Sequence, residues 1–251
     1  MIFRYFSVSL SCEKEIPKWC VFSAAKMSTY VLMKILESAP NRYDRGIRWL
    51  TLGKLDRAYE RLAAYLKPDW KVLDVGCGTG ALTILAAQKG ARVKGIDINP
   101  QMLEIARERV EKMSLQKQVK LEEKGVAELG NESEESYNAV VSGLCFSELS
   151  EDELSFALKE INRVLKPGGL ILVADEARPE TRLKRCLNWI LRTLLVIITW
   201  IVTQTTTRAV RGLPEKVRTA GFKIQSVGYN RMHSFIELVG QKTGGGNEWV
   251  G

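Results

Sequence analysis

The chain predicts an α/β domain: a mostly parallel sheet with helices on both faces. Three observations predict it. Strand-length apolar runs alternate with helix-length amphipathic runs between residues 72 and 174. The nonapeptide VLDVGCGTG carries the first strand through Gly76, Gly78 and Gly80 into the helical run ALTILAAQKG. A second strand pattern, ARVKGID, ends on Asp97, seventeen residues past Gly80. Repeated strand–helix units with right-handed crossovers align the strands in parallel and cover both faces of the sheet.

The N-terminal stretch 1–27 is mildly apolar, but Glu13, Lys14, Glu15 and Pro17 interrupt it before an apolar h-region develops, which argues against a secretory signal. Met27 opens the more orderly MSTYVLMKILESAP and is a candidate start; the residues before it are expected to be poorly ordered. A helical arm is expected over 28–66, with helices near 28–38, 44–50 and 53–66. The last of these places Leu55, Ala58, Tyr59, Leu62 and Leu66 on one stripe before Pro68 stops it. Strand 72–75 leads to helix 80–89, and strand 91–96 to helix 100–113. Strand 118–123 follows, and strand 137–142 leads to helix 151–165. Pro167, Gly168 and Gly169 turn into strand 170–174. GFKIQSVGYN and SFIELVGQK are two further strand patterns, separated by a turn at Arg231 to His233. The core is thus expected over 67–178 and 213–243, interrupted by an insert at 179–212 and followed by a flexible tail at 244–251.

With 251 residues and 45% apolar content, the chain can bury the core of one α/β domain. Cys12, Cys20, Cys77, Cys145 and Cys186 are scattered without CxxC or His–Cys spacing. Neither a disulfide framework nor a metal site is expected, and a reducing, cytoplasmic-side location fits.

The glycines carry the chemistry. A chain that turns tightly from strand to helix needs positions where a Cβ neither blocks a ligand nor forces a costly positive φ. The spacing GxGxG, rather than the GxGxxG of dinucleotide binders, resembles motif I of the class I S-adenosylmethionine-dependent methyltransferases. Asp74, Gly76, Gly78, Gly80 and Asp97 match it position by position. The resemblance implies a Rossmann-like seven-stranded sheet with a reversed C-terminal hairpin strand at its edge. It also implies S-adenosyl-L-methionine as cofactor. Asp74 would order the loop and face the methionine amino group. The backbone of Gly76, Cys77, Gly78 and Gly80 would approach the methionine and ribose. Asp97 would accept from both ribose hydroxyls, its alternative role being the N-cap of the helix near Pro100. Ile98 would cover adenine.

Many relatives carry Gly-Asp-Ala at the third strand end, where this chain has Gly125, Val126, Ala127 and Glu128. Adenine recognition then falls to backbone groups around Val126 and Ala127, or to Glu128. The fourth strand ends SGLCFSELS. Ser142 is expected beside the methionine portion, and Phe146 either contacts substrate or simply packs. Glu148 is either a proton acceptor or an exposed acid at a helix start. Glu176 is a second candidate base; His233, the one histidine, is read as a surface residue of the hairpin turn.

ESAPNRYDRGIRWLTLGKLDRAY resembles, more narrowly, the N-terminal signature of the ubiquinone/menaquinone C-methyltransferase group, through Tyr43, Asp44 and Gly53. In that group the arm folds over the cofactor, so Tyr43 would line the site. A neighbouring resemblance is to methyltransferases found beside corrinoid proteins.

From Cys186 to Thr203 the only charge is Arg192, flanked by Arg178, Arg182, Lys184, Arg185, Arg208 and Arg211. The length approaches that of a bilayer span. A span, however, would put the last two strands across the membrane from their own sheet. Two readings stand: an in-plane or re-entrant membrane anchor with basic residues on anionic headgroups, or an apolar segment that caps the acceptor site, with Trp189 as a substrate contact, or forms a homodimer interface. The net charge of +8 fits a membrane surface and, taken alone, RNA. No aromatic-interleaved basic motif supports nucleic acid, and SGLCFSELS is not the Asn-Pro-Pro-Tyr type of motif. The expectation is a methyltransferase acting on a small or lipid-like apolar, quinol-like acceptor, peripheral on the inner face of the cell membrane. The alternatives are corrinoid-linked methylation of a soluble acceptor and a cofactor-binding partner protein without turnover.

Overall fold

The computed structural model describes residues 54–177, 210–230 and 233–243. Seven strands form one sheet: β1 Lys71–Val75, β2 Arg92–Asp97, β3 Val119–Glu123, β4 Tyr137–Gly143, β5 Leu165–Glu176, β6 Phe222–Tyr229 and β7 Phe235–Lys242. Their order is β3-β2-β1-β4-β5-β7-β6. The first five pair in parallel, and β7 runs antiparallel to both β5 and β6. The expected α/β class is what forms. The reversed strand lies second from the edge, with β6 outside it.

Among the described residues, five α-helices accompany the sheet: α1 Lys54–Ala63, α2 Ala81–Gln88, α3 Pro100–Lys112, α4 Glu151–Val164 and α5 Leu213–Thr219. The strands read as near-continuous apolar runs because they are buried on both faces. On β1, Leu73 and Val75 join α4 and α5 in one cluster. Val72, on the opposite face, joins α1, α2 and Val110 of α3 in the other. The stripe foreseen on α1 is realised: Leu55, Ala58, Tyr59 and Leu62 are all buried. The two more N-terminal helices of the expected arm, the extension 1–27, nearly all of the insert and the tail 244–251 lie outside the described residues.

Helix starts follow capping chemistry. The side chain of Asn99 accepts from the Gln101 and Met102 amides at 2.9 and 3.3 Å, with Pro100 opening α3. Ser150 and Glu153 form a reciprocal capping box on α4. The seven-residue α5 was not foreseen, although Pro214 at its start and Gly221 past its end are the punctuation of a short helix. Pro167, Gly168 and Gly169 fall inside β5 rather than before it. Pairing with β4 jumps from Tyr137↔Leu165 to Ala139↔Leu170, so these residues form a bulge, with Gly168 at φ +75.

Candidate functional site

The chain places β2 and β3 on one side of β1 and β4 and β5 on the other. That reversal opens a crevice beyond the carboxyl ends of β1 and β4, the place where open α/β sheets bind ligands.

Three glycines shape its floor, each for a different reason. All have positive φ: Gly76 at 70°, Gly78 at 51° and Gly80 at 80°. A Cβ on Gly76 would overlap Cys145, a side chain of the segment after β4, so only glycine lets the two segments touch. A Cβ on Gly80 would press on Ala106 of α3 at 3.1 Å. At Gly78 it would meet nothing within 4 Å. Gly78 therefore faces open space, and the other two serve packing. The amides of Gly76 and Cys77 both donate to the Ile96 carbonyl, at 2.9 and 3.0 Å, which ties the loop to β2. The Cys77 side chain is buried against Gly95 of β2, leaving its backbone as the part that faces the loop.

Asp97 ends β2 beside this floor. Its Oδ2 accepts from the Gly78 amide at 2.7 Å and its Oδ1 from the Asn99 amide at 2.8 Å. Each carboxylate oxygen has a second lone pair. Asn99, not Asp97, caps α3, so Asp97 is not committed to that role. Burial raises the Asp97 carboxyl above its ordinary value, opposed by the amides of Asn99, Gly78 and Ile98. Ile98 follows with 76% of its surface exposed, an apolar side chain standing in solvent at the crevice rim.

Asp74, on β1, is 1% exposed. Its Oδ2 accepts from the Thr83 hydroxyl at 2.5 Å, and its Oδ1 has no hydrogen-bond partner. Burial pushes the carboxyl up to about 7, against the Thr83 hydrogen bond and with help from the charge of Asp97. A buried carboxylate oxygen without a donor costs on the order of 1–3 kcal/mol or more. A cationic donor there would remove that cost.

The remaining expected residues separate into those at the crevice and those beneath it. Val126 and Ala127 begin a 3-10 turn, Val126–Asn131, just past β3. Glu128 turns its carboxylate back onto the Gly125 amide at 3.0 Å and so caps its own turn. The Ser142 hydroxyl is buried and donates to the Val75 carbonyl at 3.0 Å, tying β4 to the end of β1. Phe146 is 1% exposed and belongs to the core. Of its two readings the structure gives packing, because its side chain is buried within the core cluster. Glu148 is exposed at the end of the turn Phe146–Glu148, and Glu176 is the last residue of β5. Tyr43 and Trp189 lie outside the described residues.

Two contributors were missed. Asp175, wholly buried, accepts from the Phe146, Ser147 and Glu176 amides at 2.7, 3.2 and 2.6 Å. It therefore sets the course of the segment leading to Glu148. An acid closing the apolar run LILVAD was the signal for it. Tyr59 of α1 reaches the end of β4, where a Cβ on Gly143 would collide with its phenol ring. Burial, foremost, holds the thiols of Cys77 and Cys145 well above their ordinary value, so they are not thiolate nucleophiles. Among the described residues no cluster of His, Cys, Asp and Glu is arranged to hold a metal. Nor is any helix among them long and apolar enough to cross a membrane.

Comparison with known proteins agrees with this geometry. Residues 72–169 match a family described as a methyltransferase domain. The demethylmenaquinone methyltransferase of Chlorobaculum parvum is 33% identical over 179 residues, covering 68% of this chain and 68% of that one. That of Tropheryma whipplei is 33% identical over 159 residues, covering 60% of this chain and 61% of its own length. Among solved structures, a Burkholderia thailandensis 1,6-didemethyltoxoflavin-N1-methyltransferase with bound S-adenosylhomocysteine shares the fold. Its TM-score is 0.59 at 18% identity, covering 86% of this chain and 91% of that one.

Proposed function

Because the chain belongs to the class I S-adenosylmethionine-dependent methyltransferases, in the ubiquinone/menaquinone C-methyltransferase group, we propose that it binds S-adenosyl-L-methionine at the β1 and β2 ends and methylates a small, lipid-like, quinol-like acceptor. The observation that carries the cofactor reading is the buried, unpartnered Oδ1 of Asp74, for which an ammonium is the fitting donor. The free lone pairs of Asp97 suit a pair of vicinal hydroxyls, and the open side of Gly78 leaves room for them. Ile98 covers the adenine face, and the leading amides of the turn at Val126 and Ala127, which lack intrahelical acceptors, meet its edge.

When bound, the cofactor supplies an electrophilic methyl on a neutral leaving group. The protein's part is then to hold the acceptor in line and exclude water. Asp175 and Tyr59 act here as positioning residues on either side of the β4 end. Glu148 or Glu176 takes the proton released from the methylated carbon. Tyr43 and Trp189 are proposed to line the cofactor and acceptor sides. The basic, apolar segment 179–212 is proposed to hold the enzyme at an anionic membrane surface.

Incubating the protein with methyl-labelled cofactor and a reduced demethylmenaquinol extract tests the reading. Label in an organic-soluble product is expected; label only in a water-soluble product, or none, overturns it. Flotation with anionic liposomes tests the surface role, and protein that stays at the bottom at low salt overturns that part.

A further inference from the structure

The acid that many relatives carry after the third strand is absent here, and the first residues of the turn Val126–Asn131 stand in its place. A side chain can rotate to meet a ligand. A backbone amide cannot, so its position is only as good as the framework that holds it. Charge supplies much of that framework. Glu132, which closes the turn, is 9% exposed. Its Oε1 accepts from the Lys94 ammonium of β2 at 2.7 Å and from the Lys124 ammonium at 3.3 Å, and its Oε2 accepts from the Tyr137 hydroxyl of β4 at 2.7 Å. Both lysines also pair with Glu122 of β3, at 3.0 and 2.8 Å. Burial, the largest influence, would raise the Glu132 carboxyl, yet Lys94, Tyr137 and Lys124 hold it below its ordinary value. It is therefore ionised at neutral pH.

We propose that Glu132, through its bonds to Lys94, Lys124 and Tyr137, is a positioning residue of the adenosine site: it fixes the turn Val126–Asn131 against the ends of β2 and β3, so that the leading amides of the turn discriminate between bases. The proposal rests on the cofactor part of the proposed function and deepens it. Lys124 joins the turn to the ribose side. Its ammonium meets Glu132, and its amide donates to the carbonyl of Asp97 at 3.0 Å. Arg163 of α4 holds the middle of the turn, donating to the Leu129 and Gly130 carbonyls at 3.0 and 3.3 Å, and Leu129 is buried in the core. At the leading end, a Cβ on Gly125 would stand 3.7 Å from Ile98, so the turn begins beside the residue proposed to cover adenine. Buried ion pairs return little net stability after desolvation. What this cluster supplies is direction, since charge-assisted hydrogen bonds fix angles as well as distances. An amide donor held in place suits adenine, whose pairing edge presents a ring-nitrogen acceptor, and opposes hypoxanthine, which carries a hydrogen on that nitrogen.

Calorimetry on the full-length protein with S-adenosylhomocysteine and S-inosylhomocysteine, which differ only at the pairing edge of the base, tests the proposal. Wild type is expected to favour the adenosyl ligand by about tenfold or more. Glu132→Gln removes the charge that gathers the lysines and keeps an acceptor for Tyr137. It should lower affinity for the adenosyl ligand by about tenfold and leave affinity for the inosyl ligand unchanged, so that the preference collapses. Tyr137→Phe removes one bond, keeps both ion pairs and should lose part of the preference; it decides the matter where Glu132→Gln does not fold. A wild-type preference in the folded variants, or an equal loss of both ligands, makes the cluster a stabiliser only and overturns the proposal. Equal binding of the two ligands by wild type also overturns it while the cofactor reading stands. A wild type that binds neither ligand overturns the cofactor reading and this inference with it.

Discussion

The backbone amide of Gly78 donates to Oδ2 of Asp97 across 2.7 Å, joining the middle of the glycine loop to the end of the neighbouring strand. The same carboxylate that shapes the loop is the one proposed to receive the cofactor's ribose. Replacing Asp97 by Ala removes both roles, and hydrogen bonds to a charged group are worth about 1.5–3 kcal/mol each. Cofactor affinity is expected to fall by about tenfold to a hundredfold, measured by calorimetry on protein whose circular dichroism is unchanged. Unaltered affinity would remove Asp97 from the site.

Asp74 is expected to make both stability and the proposed cofactor binding pH-dependent. Its carboxyl is raised from 3.8 to about 7, so between those values the folded protein holds a proton that the unfolded chain has released. Its contribution to stability is fully present below about pH 4 and is lost as pH rises through about 7. Asp74→Asn keeps an acceptor for Thr83 and removes the buried charge. The variant should melt higher than wild type at pH 8, with the difference vanishing near pH 4. A bound ammonium requires the ionised carboxylate, so cofactor uptake by wild type at pH 6 should release protons, seen as a dependence of binding heat on buffer ionisation enthalpy. Uptake at pH 6 that releases no proton would show that Asp74 does not meet the cation.

The alternation of strands and helices, the glycine loop and Asp97 were legible because each is local: a period, a turn or a strand end within one stretch of chain. What could not be read were contacts between distant residues. Nothing near Gly76 announces that Cys145 occupies its missing side chain, and nothing near Gly143 announces Tyr59. Phe146 looked ambiguous for the same reason, since only its burial in the core cluster shared with residues of α4, α5 and the sheet decides that it is core. The α5 helix escaped notice because seven residues with two buried side chains give too short a periodic signal.

The loop glycines should respond differently to alanine. Gly76→Ala combines a positive φ with overlap on Cys145 and should lower the melting temperature by several degrees, as expected for roughly 1–3 kcal/mol of overpacking. Cys145→Ala cannot rescue it, because the Cys145 Cβ itself lies 2.5 Å from the new atom, whereas Cys145→Gly should rescue it in part. Gly78→Ala meets only the backbone cost of about 1–2 kcal/mol and should lose cofactor affinity out of proportion to stability. Thermal melts and calorimetry on the four variants check this. Equal behaviour of Gly76→Ala and Gly78→Ala would mean that the two positions do not divide packing from ligand access.

Asp175 tests whether the segment after β4 matters to transfer apart from binding. Its carboxylate is buried, raised to about 6 chiefly by burial, and satisfied by three amides that Asp175→Ala would orphan. Each buried amide left without an acceptor costs about 1–3 kcal/mol, so that variant should be strongly destabilised and uninformative about rate by itself. Asp175→Asn keeps one oxygen able to accept from Phe146 and Ser147, but it turns an amide toward the N–H of Glu176. It should fold, bind cofactor normally and lose about tenfold or more in kcat, because a displacement near 1 Å is enough to spoil in-line geometry. A kcat at the wild-type level, with Asp175→Asn folded and the cofactor bound, would mean that the segment leading to Glu148 does not set the alignment of the acceptor. The base would then be better sought at Glu176, on the rigid end of β5.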